Sequence, residues 1–431
     1  MAKKLAIIGS GISGISAAYY LRELYDIDVY EKDDYVGGHT NTIAVNDGFN
    51  DFGIDTAFMV FNRQNYYFLS KMFDQLGVET NYHEGRYNFF DFDTGVNYGS
   101  DEIGLSDEEI RRRYPEEFIE VWSEAKRFFS ESPKHFYEGN AYIPLEEYFE
   151  KHSYSAQFIN SFVVQLCSAC WSLPADKIGM MPASTLIGFF MNHGHQGLGG
   201  EKSVSWETVN GGSKQYIKKI EALLDKPVRI NTAVTAIYSK GNKVAVEHSG
   251  KTEWYDEVLL ATHADQALRL LKEPTEKQKR VLSLVKYNKS EVILHNDKRV
   301  LPEARSSWAG WNYGKVTLDG THYPFLVYYM NEIQGLDAKQ DYFVSIDSPL
   351  PIDESKIIRS FTMEHPIIDI EVYKAQDELY TINDEGNIYF SGTYFSIKRA
   401  GPDFAGFHES GISSAMDVVQ KLRNKIEVQH N

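Results

Sequence analysis

Three glycines near the start of the chain have the spacing of a dinucleotide-binding turn. Gly9, Gly11 and Gly14 follow an apolar run and precede an amphipathic stretch. The first glycine permits a tight turn, the second lets the backbone approach a pyrophosphate, and the third lets the helix pack against the strand. Glu31 follows twenty-two residues after Gly9, where a carboxylate can bind both ribose hydroxyls. The pattern predicts strand, turn, helix and second strand around a dinucleotide.

A second glycine turn, Gly37-Gly38, follows the acidic residue. Nicotinamide-binding proteins usually lack this turn. Here the sequence resembles the FAD-binding proteins of the flavin amine oxidase superfamily, in which it closes over the pyrophosphate and ribityl chain. Tyr35 and His39 stand where that superfamily usually has arginines. The resemblance is therefore closest to a bacterial subgroup that reads Gly-Gly-His and is associated with fatty-acyl methyltransferases or cyclopropane synthases.

The resemblance extends over nearly the whole chain. It is carried by residues 51–61, 206–213, 228–234, 258–263, 388–392 and 406–415. It implies noncovalently bound FAD, and it implies the following cofactor contacts: Gly9, Gly11, Ser13, Gly14, Glu31, Lys32, Gly37, Gly38, His39, Thr40, Val234, Gly392, Phe407, His408 and Glu409.

The implied fold is α/β, with a Rossmann-type FAD-binding domain of the glutathione-reductase-like, amine oxidase type interleaved with an α+β substrate domain. We assign residues 1–75, 205–275 and 375–431 to the FAD domain and residues 76–204 and 276–374 to the substrate domain. The first insertion is predicted to be helical, with Ser106 as an N-cap. The second is predicted to contain strands at 290–295, 308–313 and 325–331.

The last motif lies at the start of a helix predicted over residues 410–423. Phe407, His408 and Glu409 would lie at its N-terminus, where free N–H groups and the helix dipole favour negative charge. The resemblance implies that this end faces the flavin pyrimidine carbonyl. Alternatively, Glu409 only caps the helix. The preceding segment, 393–405, is predicted to be either a substrate lid or a surface loop.

Bulk composition excludes several classes of function. The formal net charge of −17 disfavours nucleic acid binding. No run is apolar enough to span a bilayer, and the start of the chain does not resemble a signal peptide. We therefore expect a cytoplasmic protein without transmembrane segments, for which peripheral membrane contact remains possible.

The cysteines and the clustered histidines are interpreted as packing residues. Cys167 and Cys170 could form a dithiol beside the flavin, but they lie in an apolar stretch that favours simple burial. His193 and His195 could bind a metal ion, but the sequence suggests no third ligand nearby. We predict no metal. We predict that His39 donates a hydrogen bond near the cofactor and is not covalently attached to it.

Two charged residues of a predicted strand are candidates for proton transfer. Flavin amine oxidases often carry a lysine at the start of such a strand, and Lys289 and Glu291 lie near that position on one strand face. Glu291 aligns with the lysine itself, which argues against amine oxidation.

The substrate is predicted to be hydrophobic, because the substrate segments are rich in aromatic residues. The leading hypothesis is an FAD-dependent oxidoreductase that transfers hydride between flavin N5 and an unsaturated or modified fatty-acyl chain, by dehydrogenation, reduction or double-bond isomerisation. A flavin amine oxidase that releases hydrogen peroxide is one alternative. A noncatalytic flavin-binding partner of a lipid-modifying methyltransferase is another.

Overall fold

The structure is a computed structural model that describes residues 2–102, 105–171, 173, 175–193, 205–396 and 405–430. Its strands, in chain order, are β1 (Lys3–Ile8), β2 (Tyr25–Tyr30), β3 (Thr42–Asn46), β4 (Asp51–Asp55), β5 (Phe61–Asn62), β6 (Thr80–His83), β7 (Tyr87–Asp91), β8 (Asn97–Gly99), β9 (Trp206–Val209), β10 (Val234–Lys240), β11 (Lys243–His248), β12 (Lys251–Tyr255), β13 (Glu257–Leu260), β14 (Lys286–His295), β15 (Trp311–Leu318), β16 (Thr321–Tyr329), β17 (Phe343–Ile346), β18 (Ile357–Ile367) and β19 (Ile388–Phe390).

The α-helices are α1 (Ile12–Leu21), α2 (Tyr67–Leu76), α3 (Asp107–Arg113), α4 (Glu116–Tyr137), α5 (Leu145–Lys151), α6 (Ala156–Phe158), α7 (Val164–Trp171), α8 (Ala183–His193), α9 (Lys214–Glu221), α10 (Ala264–Leu270), α11 (Glu276–Leu284), α12 (Met330–Ile333), α13 (Ile370–Lys374), α14 (Gln376–Thr381) and α15 (His408–His430). Short 3-10 turns lie at Ser100–Glu102, Ala175–Met180, Lys298–Val300, Arg305–Ser307 and Glu354–Lys356, and a π-turn lies at Ile159–Val163. None of the described helices is both long and apolar enough to cross a membrane.

A parallel sheet in the order β19-β13-β1-β2 forms the centre of a three-layer unit. Strand β1 is apolar on both faces, which is typical of a parallel sheet covered on both sides. Leu5 and Ile7 pack with the helices α1 and α15, whereas Ala6 and Ile8 pack with the antiparallel sheet β10-β11-β12. The sequence prediction of an α/β fold with a Rossmann-type sheet is confirmed.

A second, seven-stranded sheet in the order β18-β14-β17-β16-β15-β7-β8 is antiparallel except between β15 and β7. Its Phe89, Tyr313 and Leu326 join the core formed by helices α4 to α8. This sheet combines strands from before and after those helices. The division of the chain into domains stays a prediction.

The predicted N-cap at Ser106 is present as a capping box with Glu109. The predicted strands are shifted in the structure: two of them are β15 and β16, joined at Asp319 and Gly320, which have φ values of 52° and 78°. An Asp-Gly pair with positive φ is typical of a two-residue hairpin turn. The turn places the strands at Trp311–Leu318 and Thr321–Tyr329, displaced from the predicted 308–313 and 325–331. The last helix begins at His408, two residues earlier than predicted.

Several predictions concern residues outside the described part of the chain. His195 lies there, as do residues 397–404 of the predicted lid, and the side chains of Cys170 and His193 are not described either.

Asp55, at the end of β4, is predicted to hold the β3–β4 hairpin against the start of α9. Its buried carboxylate accepts hydrogen bonds from Ser213 N at 2.9 Å and Ser213 Oγ at 2.7 Å. In Asp55→Ala these donors lose their partner, so we expect the free energy of unfolding to fall by roughly 2–4 kcal/mol in urea titration. Asp51→Ala, an exposed change in the same strand, should have an effect within about 0.5 kcal/mol. Equal effects of the two changes would contradict this role.

Candidate functional site

A cavity of about 1460 Å³ is lined by residues at the parallel sheet, by the seven-stranded sheet and by several helices. One part of its wall comes from the turn between β1 and α1, from the end of β2 and from the starts of β10 and α15. Another part comes from the seven-stranded sheet and helices α4, α7 and α8. The predicted dinucleotide motif therefore shares one cavity with the predicted substrate residues.

The first glycine turn closes by direct backbone contact. Gly9 has a φ of +100°, and its N–H donates to Tyr30 O at 2.8 Å. A Cβ at Gly14 would lie 1.9 Å from Gly9 O, so a side chain there is incompatible with this turn. Gly14 does not line the cavity. Its role is to let α1 approach β1.

Gly11 leaves open the space that a pyrophosphate would need. A Cβ at Gly11 would meet no protein atom within 4 Å, and Gly11 lines the cavity. No side chain caps the N-terminus of α1, so its first N–H groups are available to an anion. Across the gap, a Cβ at Gly38 would lie 3.2 Å from Gly11 Cα. The two glycine turns form a cradle that fits a diphosphate.

Glu31 is fixed in place at the end of β2. One carboxylate oxygen accepts from Ser10 N at 2.9 Å and from Ser10 Oγ at 2.6 Å, and the other accepts from Asp33 N at 3.1 Å. Glu31 lines the cavity beside Lys32 and Val234. Oε2 thus uses both of its lone pairs within the protein, whereas Oε1 accepts one hydrogen bond and retains a lone pair that fits a ribose hydroxyl.

His408, at the start of α15, is tied to the second glycine turn. Its Nε2 lies 3.1 Å from Thr40 Oγ1, and its ring stacks on Phe58 with the centroids 3.8 Å apart. Burial lowers the pKa of His408 to about 3, so the ring is neutral at pH 7. His408, Phe407 and Gly392 line the cavity, whereas Thr40 supports His408 from behind the wall.

Glu409 does not line the cavity. Its carboxylate accepts from Phe68 N at 2.8 Å and from Leu69 N at 3.1 Å, so it caps the N-terminus of α2. Neither predicted role, a cofactor contact or a cap of its own helix, matches this geometry. The reason is tertiary: α2 has no side-chain cap of its own, and the first turn of α15 lies against it. Burial raises the pKa of Glu409 to about 7.

Most other predicted site residues line the cavity. These are Gly9, Gly11, Ser13, Glu31, Lys32, Gly38, His39, Val234, Gly392, Phe407, His408 and Lys289. Among them, Ser13 uses its hydroxyl to donate to Gly411 O at 3.0 Å, which ties α1 to α15. Gly37 is set back from the wall, where its N–H donates to Ser10 Oγ at 3.4 Å.

The two predicted proton-transfer residues are separated by the structure. Lys289 lines the cavity and pairs with Glu364, its Nζ lying 3.1 Å from Oε1. Glu291 is exposed outside the cavity and accepts from Ser360 Oγ at 3.1 Å. Although both residues lie on one strand face, only Lys289 lines the cavity. Glu291 is therefore no longer a candidate for proton transfer.

Several polar residues of the wall were not identified as site residues by any sequence motif. Glu364 Oε2 lies 3.2 Å from His263 Nδ1, so this carboxylate joins His263 to Lys289. His365, the next residue of β18, packs edge-on against His39 with the ring centroids 4.9 Å apart. Glu364 and His365 lie in an ordinary strand, and only the pairing of β18 with β14 places them beside the glycine turns.

The part of the wall formed by helices α4, α7 and α8 and the central strands of the seven-stranded sheet is mainly aromatic and carries no charged side chain. We call this set the aromatic wall: Tyr87, Phe89, Phe129, Phe162, Leu166, Phe189, Phe190, Trp206, Trp311, Tyr313, Leu326 and Tyr328. The acidic residues that line the described cavity are Glu31, Asp33, Asp265 and Glu364, and none of them lies on α4 to α8, β7, β15 or β16.

Cys167 is buried in the helical core and does not line the cavity, which agrees with the packing interpretation. Within the described residues, no group of three or more His, Cys, Asp or Glu side chains could hold a metal ion.

Residues 12–334 match a family described as flavin containing amine oxidoreductase. No curated protein sequence gave a significant match. The narrower resemblance to a methyltransferase-associated subgroup finds no support in these comparisons.

Solved structures with a similar fold include proteins of different activities. They are a CLA-producing fatty acid isomerase from P. acnes (15% identity, 97% of this chain and 98% of that chain, TM-score 0.67), putrescine oxidase bound to putrescine (14%, 98% and 99%, TM-score 0.67) and cyclohexylamine oxidase from Brevibacterium oxydans (13%, 99% and 100%, TM-score 0.70). At these identities the similarity establishes the fold alone.

Gly11 and Gly14 provide a matched pair of substitutions. Gly11 has an ordinary backbone conformation, and a Cβ at this position would meet no protein atom within 4 Å, so Gly11→Ala should retain the fold. Its methyl group would enter the cradle and should weaken FAD binding roughly tenfold or more. Gly14→Ala should instead lower the free energy of unfolding of the apoprotein by roughly 1–3 kcal/mol. Flavin fluorescence quenching and urea titration measure the two effects. Unchanged FAD affinity in Gly11→Ala would contradict the placement of the pyrophosphate.

Glu409 is predicted to make stability fall as the pH rises from about 4.5 to about 7. In this range the unfolded carboxyl ionises while the folded one keeps its proton, so the folded state loses about 3 kcal/mol of relative stability. Glu409→Gln should reduce this fall by about 3 kcal/mol in urea titrations at a series of pH values, leaving the part contributed by Asp55, whose pKa burial raises to about 6. Glu427→Gln, an exposed change in the same helix, should leave the slope as in the wild type. A slope as steep in Glu409→Gln as in the wild type would refute the assignment.

Proposed function

This chain belongs to the flavin containing amine oxidoreductase family and is a flavin-dependent oxidoreductase; we propose that it binds FAD noncovalently and transfers hydride between flavin N5 and a hydrophobic substrate, such as an unsaturated or modified fatty-acyl chain. The observation that carries the substrate class is the aromatic wall, which shares one cavity with the dinucleotide cradle.

The residues of the cradle fit FAD. The uncapped N-terminus of α1 and the open space at Gly11 would receive the pyrophosphate, and Glu31 would bind the adenosine ribose. Val234 and Lys32 line the wall nearby. When bound, the flavin supplies a two-electron acceptor that a protein side chain cannot provide. The chain's own residues orient it, exclude water and surround the substrate.

An apolar chain suits the aromatic wall for energetic reasons. Each methylene group removed from water contributes about 0.8 kcal/mol, whereas burying an unpaired charge is costly. An unpaired carboxylate is the strongest partner for a cationic amine, and the acidic residues that line the described cavity are Glu31, Asp33, Asp265 and Glu364. Glu31 already accepts from Ser10 and Asp33, and Glu364 is paired with Lys289 and His263.

Oxidation of an amine is the second candidate. Putrescine oxidase and cyclohexylamine oxidase share the fold, and the faces of Tyr and Trp rings can attract an ammonium group without a carboxylate. Release of hydrogen peroxide with a primary amine would select this function. A methyltransferase partner is not part of the proposal, because no described surface and no comparison points to one.

The test is anaerobic bleaching of the purified yellow protein. We expect bleaching by unsaturated long-chain fatty acids but not by putrescine or cyclohexylamine. In a series of saturated fatty acids of increasing length, the dissociation constant, read from the flavin spectrum, should fall about three- to fourfold per methylene until the wall is covered. Acid precipitation should release the flavin, because it is held noncovalently.

Two results would contradict this proposal. Bleaching by amines alone, with peroxide formed in air, would replace the substrate class. A colourless wild-type protein that cannot be reconstituted with FAD would overturn the cofactor assignment, provided that the wild-type and Gly11→Ala chains are equally folded.

A further inference from the structure

His408, the first residue of α15, lies where the two parts of the cavity wall meet. On one side its ring contacts Thr40, which follows the second glycine turn. On the other side the preceding residue, Phe407, stacks on Phe189 of the aromatic wall, with the ring centroids 6.1 Å apart. A polar group of His408 would therefore meet a bound molecule at the boundary between the cradle and the aromatic wall.

Behind the wall, three polar atoms form a closed triangle. Nε2 of His408 lies 3.1 Å from Thr40 Oγ1 and 3.4 Å from the Tyr216 hydroxyl, and the two hydroxyl oxygens lie 2.5 Å apart. Thr40 and Tyr216 are fully buried, and neither lines the cavity. Among the described residues, neither hydroxyl has a hydrogen-bond partner outside the triangle. Both hydroxyl protons must therefore be accepted within it.

The two hydroxyl protons decide which nitrogen of His408 carries a proton. The contact between the two hydroxyls can hold only one of these protons, so the other hydroxyl must donate to Nε2. A proton on Nε2 would leave one buried hydroxyl without an acceptor, which is costly. Nε2 therefore presents a lone pair to the triangle, and the ring carries its proton on Nδ1. The low pKa of His408 agrees with this neutral form.

Nδ1 of His408 is open to the cavity. It has no hydrogen-bond partner among the described residues, yet it is not one of the polar atoms sealed inside the protein, as Nε2 of His39 and Nδ1 of His365 are. His408 lines the cavity, so the accessible edge of its ring faces the space that a bound molecule would fill. An N–H donor at the N-terminus of a long helix favours an electron-rich oxygen as its partner.

We propose that the hydroxyls of Thr40 and Tyr216 fix His408 as a hydrogen-bond donor, whose Nδ1–H binds a carbonyl or carboxylate oxygen of the molecule in the cavity. The inference rests on the proposed function and adds one binding residue and two positioning residues to it. Thr40 and Tyr216 act only through the ring of His408, because neither reaches the cavity. The oxygen belongs to the flavin or to the acyl substrate, and the binding experiment below distinguishes these two sources.

A neutral donor suits this position in the wall. It binds an oxygen without burying a charge beside the aromatic rings, which would be costly. It also has a consequence for specificity, because an N–H offers no lone pair to an ammonium group. His408 in this tautomer therefore favours a molecule that presents an acceptor oxygen over a cationic amine.

The tautomer is tested by long-range ¹H–¹⁵N correlation on histidine-labelled protein without cofactor. The His408 signals, assigned by their loss in His408→Phe, should show the proton on Nδ1. In the double variant Thr40→Val/Tyr216→Phe, Nε2 loses both of its donors, so a His408 proton on Nε2 should appear. A wild-type proton on Nε2, or a double variant with an unchanged tautomer, would overturn the inference. The wild-type measurement stands even if the double variant does not fold.

The donor is tested by two dissociation constants measured by calorimetry, that of FAD for the apoprotein and that of dodecanoic acid for the FAD-loaded protein. His408→Phe keeps a ring that can stack on Phe58 but lacks the N–H, so one of the two constants should rise roughly tenfold. A rise for FAD assigns the oxygen to the flavin. A rise for dodecanoic acid alone assigns it to the substrate.

Two further variants show whether the N–H itself is responsible. His408→Asn places an amide N–H near the position of Nδ1, so it should bring the affected constant back to within about threefold of the wild type. His322→Phe, the same change as His408→Phe at an exposed histidine of β16, should alter neither constant.

The outcomes separate this inference from the proposed function. A wild-type protein that binds neither FAD nor dodecanoic acid would refute the proposed function, and the inference with it. Wild-type binding of both, with both constants unchanged in His408→Phe, would overturn the inference alone. Equal losses of affinity in His408→Phe and His408→Asn would also overturn it, because the N–H would then not be the group that binds.

Discussion

The close approach of Gly14 to Gly9 O, which lies 1.9 Å from where a Cβ on Gly14 would be, is the constraint on which the site depends. No side chain fits between them, so α1 starts immediately beside β1 with its N-terminus uncapped and open to the cavity. Ser10, fixed within this turn, orients Glu31 through two hydrogen bonds. Ser13, one residue before Gly14, holds α15 through Gly411 O. A single backbone approach thus positions the anion site, the ribose acid and the helix that carries His408.

The wall opposite the cradle is built by sheet pairing and not by a motif. Strand β18 lies at the edge of the seven-stranded sheet, and its pairing with β14 brings Glu364 beside Lys289 and His365 against His39. Next to them the wall becomes aromatic. Neutral imidazoles and aromatic rings are compatible neighbours, because neither requires a buried charge. The result is a cavity that is polar where the glycine turns lie and apolar where the helices and central strands contribute.

The sequence predicted those parts of the site in which residue type and spacing act locally. Gly9, Gly11 and Glu31 lie within one βαβ unit, and each has the environment its position indicated. The predictions were wrong where a residue's role depends on segments that are distant in the chain. Glu409 caps α2, more than three hundred residues away in the chain, and Glu291 is exposed outside the cavity although it shares a strand face with Lys289. The hairpin turn at Asp319 and Gly320 is a local signal that the predicted strand bounds did not include.

The sequence by itself determined the parallel α/β unit, the two glycine turns that face the cavity and the aromatic character of the segments predicted to bind substrate. These follow from short-range rules: glycine permits backbone approach that a Cβ forbids, and apolar runs must be buried on both faces of a parallel sheet. Only the tertiary structure decided that His365 packs against His39 and which carboxylates are already paired. Buried polar groups form hydrogen bonds with whichever partners packing places beside them, often from distant parts of the chain. The spacing of residues in the sequence does not identify those partners.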